Sequence, residues 1–227
     1  MPLIICRCSH RDFIPQAALG DLPQNSAVLV VDDLCAMIQA GGEGLEGFVA
    51  AGGRVAACHP RAVRGLFAAV GLELAEDRVT DLRTGEALPD LDPAEDAAVP
   101  NVAVPEDEDA WFPVIDRDRC NDCGRCASFC LFGVYRRDDD GRVDAFRPAK
   151  CKLDCPACAR ICPVNAIIFP KCPDAAVDGA QLSEEELAGA RIRLSPEELT
   201  GGNVRDQLAA RSKRRRLLKP GALGEKP

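Results

Sequence analysis

The sequence predicts an α/β amino-terminal domain with a small parallel sheet, followed by a second, cysteine-rich domain. Apolar runs alternate with helical stretches over residues 1–83, an acidic stretch broken by prolines follows, and eight of the thirteen cysteines crowd into residues 120–162. Strand and helix in alternation favour a layer built on parallel strands, because each crossover helix covers a face of the sheet.

Leu3–Cys6, Ala27–Val31 and Arg54–Cys58 read as short buried strands, each rich in Val, Ile, Leu or Ala and bounded by turn residues. Helices are expected at Ile14–Leu19, Leu34–Ala40 and Pro60–Val70, the last with proline near its start. Glycines at 41–42, 52–53 and 71 punctuate the joins. This gives an α/β domain over residues 1–85. Between Glu86 and Asp109 there are nine acidic residues, no basic ones and four prolines, so residues 86–110 read as a solvated, extended linker. The cysteine-rich domain spans 111–172 and a helical, basic tail 173–227. In that tail Ser183 with Glu184–Glu186, and Ser195-Pro196-Glu197-Glu198, look like capped helix starts. Arg205, Arg211, Lys213–Arg216 and Lys219 then stand against a single Asp206.

A chain of 227 residues has room for one or two domains. No apolar run is long enough to span a membrane, and the amino terminus lacks the features of a secretory signal. An odd number of cysteines in tandem short-spaced runs points to metal in a reducing compartment, so a cytoplasmic protein is expected. The net charge of −8 makes nucleic-acid binding by the body of the protein unlikely. It fits either simple solubility or steering toward basic partner patches.

The two runs are Cys120-x2-Cys123-x2-Cys126-x3-Cys130 and Cys151-x3-Cys155-x2-Cys158-x3-Cys162-Pro163. A cubane iron–sulfur cluster needs one thiolate at each iron. Three cysteines spaced by two residues let a loop wrap three corners, and a fourth, three residues on, reaches the neighbouring cluster. The second run has one extra residue before Cys155, and Leu131 stands where the first run would carry proline. Two closed four-thiolate zinc sites are the alternative, although zinc sites tend to use separated pairs of cysteines.

Residues 111–170 resemble a bacterial-type two-cluster ferredoxin domain, an α+β fold. The resemblance implies that Cys120, Cys123, Cys126 and Cys162 hold one 4Fe–4S cluster, and that Cys151, Cys155, Cys158 and Cys130 hold another. Cys172 is then left over as a non-ligand.

Cys6, Cys8, Cys35 and Cys58 remain. Each follows or ends a strand, so in a parallel sheet all four lie along the carboxyl edge, where open α/β folds gather their ligands. Free cysteine is also common in small-residue cores, but packing explains the Cys6-Arg7-Cys8 spacing poorly. Ile-Cys-Arg-Cys, Asp-Leu-Cys and Val-Ala-Ala-Cys-His-Pro-Arg resemble the amino-terminal iron–sulfur domain of the heterodisulfide reductase A subunit. That resemblance implies a third 4Fe–4S cluster on these four cysteines. The family's flavin domain has no counterpart here, since no Gly-x-Gly-x-x-Gly run follows a strand. His10 and His59 each neighbour a candidate ligand cysteine, where either could replace a thiolate or donate a hydrogen bond to the cluster.

No nucleophile–base pair or phosphate loop is evident. The leading reading is an electron-transfer protein, polyferredoxin-like, passing single electrons between redox partners. Alternatives are a non-catalytic subunit of a heterodisulfide-reductase-like or hydrogenase-like complex, an iron–sulfur sensor whose basic tail binds nucleic acid, and a zinc-stabilised interaction module.

Overall fold

The first three apolar runs become parallel strands β1 (Leu3–Cys6), β2 (Val28–Val31) and β3 (Arg54–Ala57), each within a residue of its expected bounds. The computed structural model describes residues 1–19, 27–89, 98–105, 109–181, 183, 185 and 186. A fourth parallel strand, β4 (Val79–Asp81), completes a sheet of order β2-β1-β3-β4. Ile4 is level with Leu29 on one side and Val55 on the other. The two central strands are buried along almost their whole length, as parallel strands covered on both faces must be.

Helices α1 (Gln16–Leu19), α2 (Leu34–Gln39), α3 (Leu45–Ala50) and α4 (Pro60–Ala69) connect the strands. Asp33 caps α2 by accepting the Cys35 N–H at 2.8 Å, and Pro60 opens α4 at the position that needs no N–H. The sequence reading missed α3 and β4. α3 contains a glycine and starts at the left-handed Gly44 (φ 86°), and β4 has three residues between two 3₁₀ turns. Neither is long enough to show a period.

Beyond residue 109 the elements nest. β5 (Val114–Ile115), a cysteine loop, α5 (Arg125–Phe129) and β6 (Arg136–Arg137) are followed by β7 (Val143–Asp144), a second cysteine loop, α6 (Ala157–Arg160) and β8 (Ile167–Ile168). β5 pairs with β8 and β6 with β7, both antiparallel. Trp111 stacks on Phe169 with ring centroids 5.1 Å apart.

The two halves share a core. Ala110, Phe112, Val114 and Ile168 pack into the apolar interior of the parallel-sheet layer. Arg61, buried in α4, donates to Asp116 at 2.9 Å and to the carbonyls of Asn165 and Ala180. Met1–Arg191 forms one compact unit. Part of the stretch expected to be a solvated linker lies against the sheet layer: Val102 is buried, and the Ala103 N–H donates to the Glu43 carbonyl at 3.0 Å. Apolar residues between the acidic ones give this segment something to bury. Among the described residues no helix is long and apolar enough to cross a membrane. Ser183 and Glu186 form the expected capping box, with the Glu186 N–H donating to Ser183 Oγ at 3.3 Å and the Ser183 N–H to the Glu186 carboxylate at 2.8 Å. The second helix start at Ser195 and the basic residues Arg205–Lys219 lie outside the described residues.

Candidate metal centres

In the first cysteine run, Cys120 and Cys123 lie in the loop after β5, Cys126 is on α5 and Cys130 at its end. Asp122 takes a left-handed φ of 52°, and its counterpart Asp154 in the second loop takes 56°. Asp and Asn tolerate this conformation best among residues with a side chain, and it turns each loop back so that its cysteines converge. Cys120, Cys123, Cys126 and Cys162 line one recess together with Val143 and Ile167. Three of these thiols come from the first run and one from the second, the crossed arrangement that the resemblance implies.

Cys151, Cys155, Cys158 and Cys130 gather on the other side. Burial pushes the Cys151 thiol up to about 12, and the neighbouring Cys155 and Cys130 add to the shift. Burial raises Cys158 to about 12 as well, against a Tyr135 hydroxyl that donates to its sulfur at 3.1 Å. Cys162 receives the Ala166 N–H at 3.3 Å. Donors aimed at sulfur stabilise the thiolate that an iron requires.

At the carboxyl edge of the parallel sheet, Cys6 ends β1, Cys8 follows it, Cys35 lies in the first turn of α2 and Cys58 comes directly after β3. The strand order reverses direction between β1 and β3, which is where open α/β sheets form a ligand crevice. Burial raises Cys6 to about 12 and Cys8 to about 11, and holds Cys35 and Cys58 well above the ordinary thiol range. After burial, Cys8 adds to the shift at Cys6, Cys58 and Cys6 add to it at Cys35, and Cys6 and Cys8 add to it at Cys58, so the four thiols lie close enough to feel one another. The Leu34 N–H donates to Cys6 Sγ at 3.3 Å. Cys8 itself has φ 52°, a strained backbone for a residue with a side chain.

Among the described residues no group of three or more His, Cys, Asp or Glu side chains is drawn tightly enough to hold a single metal ion. Zinc would hold four thiolates each about 2.3 Å from itself, whereas a cubane gives each thiolate its own iron and a wider spread. The grouping of thiols from both runs and the amides aimed at sulfur fit a centre held by thiolates. Because the thiols must lose their protons to bind iron, loading releases protons and is favoured as pH rises.

His59 faces two carboxylates with its ring nitrogens. Its Nδ1 lies 2.8 Å from Asp81 and its Nε2 3.5 Å from Asp178. Burial opposes the charged ring, but these two carboxylates outweigh it and raise the pKa to about 9. His10 is half-buried beside the Cys8 turn. Cys172 is buried, and its carbonyl accepts from Arg83 at 3.1 Å.

Three residues with no local sequence signal hold these sites together. Lys171 is buried between Asp33, which it contacts closely, and Asp109 at 2.9 Å; its charge favours the Cys8 thiolate. Arg83 has the same effect on Cys8 and Cys58 while pairing with Asp178 at 2.9 Å. Arg11, three residues after Cys8, pairs with Asp154 at 3.0 Å. The longer spacing before Cys155 therefore lies in a loop that reaches the amino-terminal cysteine turn.

A family model for a 4Fe–4S binding domain matches residues 112–135. The chain is 45% identical over 62 residues to an uncharacterized ferredoxin of Methanocaldococcus jannaschii, a stretch that is 27% of this chain and 42% of that protein. It is 37% identical over 58 residues to a second uncharacterized ferredoxin of that organism, covering 25% of this chain and 74% of the relative. It is 43% identical over 54 residues to a ferredoxin of Thermococcus litoralis, covering 23% of this chain and 88% of the relative. The chain belongs to the ferredoxin family. No solved structure matches it significantly.

Proposed function

We propose that this protein relays single electrons between larger redox proteins through three 4Fe–4S clusters, two in the ferredoxin part and a third at the edge of the parallel sheet. The observation that carries this reading is the recess lined by Cys120, Cys123, Cys126 and Cys162, which joins thiols of both runs. A 4Fe–4S cluster, when bound, accepts and returns one electron at a potential set by its charge, hydrogen bonds and exposure. The chain's own groups set those conditions. Leu34 and Ala166 amides and the Tyr135 hydroxyl donate to ligand sulfurs, and the buried β1, β3 and β8 exclude water behind them. Lys171 and Arg83 place positive charge beside the amino-terminal thiols, which favours the more negative, reduced state.

The third site rests on the convergence of Cys6, Cys8, Cys35 and Cys58 and on the resemblance to the heterodisulfide reductase A subunit. The same resemblance supports a second reading, a non-catalytic electron-transfer subunit of such a complex. Iron and sulfide analysis of anaerobically purified protein, with electron paramagnetic resonance after reduction, tests the count. Three cubanes require about twelve irons per chain and two require about eight. Cys58→Ser is expected to remove about four irons and leave the signals of the ferredoxin part. A wild-type content near eight overturns the third site, and zinc without iron overturns the electron-carrier reading.

A further inference from the structure

Five of the seven large apolar side chains left exposed among the described residues lie within five positions in sequence of a cysteine of the second set. Phe129, Leu131 and Phe132 flank Cys130, Leu153 lies between Cys151 and Cys155, and Phe146 is in the segment that leads to Cys151. Leu131 is 93% exposed. Apolar side chains scattered singly need no explanation, but a cluster around one site marks an interaction surface.

The rim of this cluster is cationic. Arg136 and Arg147 lie over the Phe146 ring at 5.1 and 4.6 Å, and Lys150 and Lys152 flank Cys151, both exposed. Residues 123–137 contribute three cations (Arg125, Arg136, Arg137) and residues 145–153 three more (Arg147, Lys150, Lys152), with no carboxylate in either segment. That local balance is opposite to the net charge of −8 for the whole chain. Carboxylates border both segments at Asp122, Asp138–Asp140, Asp144 and Asp154; of these, Asp144 is paired with Arg117 and Asp154 with Arg11.

We infer that this face docks an acidic redox protein, with the apolar centre over the second cysteine set as the contact and the cationic rim as the guide. The inference rests on the electron-carrier reading and deepens it, because it names the site of exchange and the charge of the partner. The chain's overall negative charge would point instead to a basic partner. The local field around the contact governs orientation and association rate, since rim charges act within a Debye length of about 8–10 Å.

An acidic flavodoxin serves as the probe. Its binding to the iron-loaded protein is measured by calorimetry, and its reduction by the reduced protein by stopped flow, across a salt series. Wild type is expected to react fastest at low salt. Arg136→Glu with Lys150→Glu should lower both the affinity and the low-salt rate about tenfold and abolish the salt dependence. Leu131→Ser should weaken binding severalfold without changing the salt slope. All three side chains are exposed, so the fold and iron content are expected to persist. Unchanged or tighter flavodoxin binding by the charge-reversed protein overturns the proposal. A protein that binds flavodoxin in this pattern but holds no iron upholds the surface and overturns the electron-carrier reading.

Discussion

Lys171 ties the ferredoxin part to the amino-terminal thiols through one buried ammonium. Asp33 caps α2 with one carboxylate oxygen and accepts from Lys171 with the other. Removing the lysine therefore strands a buried charge beside Cys35. Burial disfavours the ammonium, but the hydrogen bonds to Asp33 and Asp109 more than offset it, so the folded pKa is raised. A cation whose pKa is raised on folding stabilises fully below its unfolded value of about 10.4, and the contribution is lost as pH rises through the folded value. Lys171→Met should cost about 3–5 kcal/mol in denaturant melts. The deficit should be constant from neutral pH to about pH 10 and shrink above it. With the proposed cluster on the amino-terminal cysteines, the same variant should lower its midpoint potential by an amount on the order of 50 mV, the effect of losing a nearby unit charge. An unchanged potential would show that the lysine serves only the fold.

At the scale of elements, α4 decides how closely the sheet layer approaches the ferredoxin part. Gly65 lets it in: a Cβ built there would lie 2.9 Å from the Val114 side chain of β5. Alanine raises intrinsic helix stability by about 1 kcal/mol, while overpacking a filled interface costs about 1–3 kcal/mol. Gly65→Ala is expected to lower the thermal midpoint by a few degrees, a loss of about 1 kcal/mol net; a raised midpoint would mean that Val114 moves aside freely. The sequence announces three strands of the parallel sheet, the longer helices and the cysteines, because period and spacing are local properties. It gives no sign of the contacts that α4 and its neighbours make. Arg61 finds Asp116 55 positions away, Arg11 finds Asp154 143 away and Lys171 finds Asp33 138 away. His59 shows the converse. Its place after Cys58 suggests a ligand or hydrogen-bond donor for a candidate cluster there, but Asp81 and Asp178, supplied by distant chain, claim its ring.

For the whole molecule, the shared core makes the ferredoxin part depend on the layer before it. Phe112, Val114 and Ile168 are buried in common with the parallel sheet, Asp116 is held by Arg61, and Lys171 needs Asp33. A fragment of residues 109–181 would uncover those apolar side chains, each contributing about 1.5–3 kcal/mol when buried, and would take Arg61 from Asp116, Asp33 from Lys171 and Arg83 from Asp178. Such a loss is comparable to the entire stability of a small domain, about 5–15 kcal/mol. The thiols of both runs, however, lie within the fragment, and metal binding itself stabilises the folded state. The fragment is therefore expected to take up iron but to hold it weakly. Bleaching of its visible absorption by a chelator should be at least tenfold faster than in the full chain, and adding the fragment of residues 1–105 in trans should slow it again. Equal bleaching rates would show that the ferredoxin part stands alone and that the shared core only positions the amino-terminal cysteines beside it.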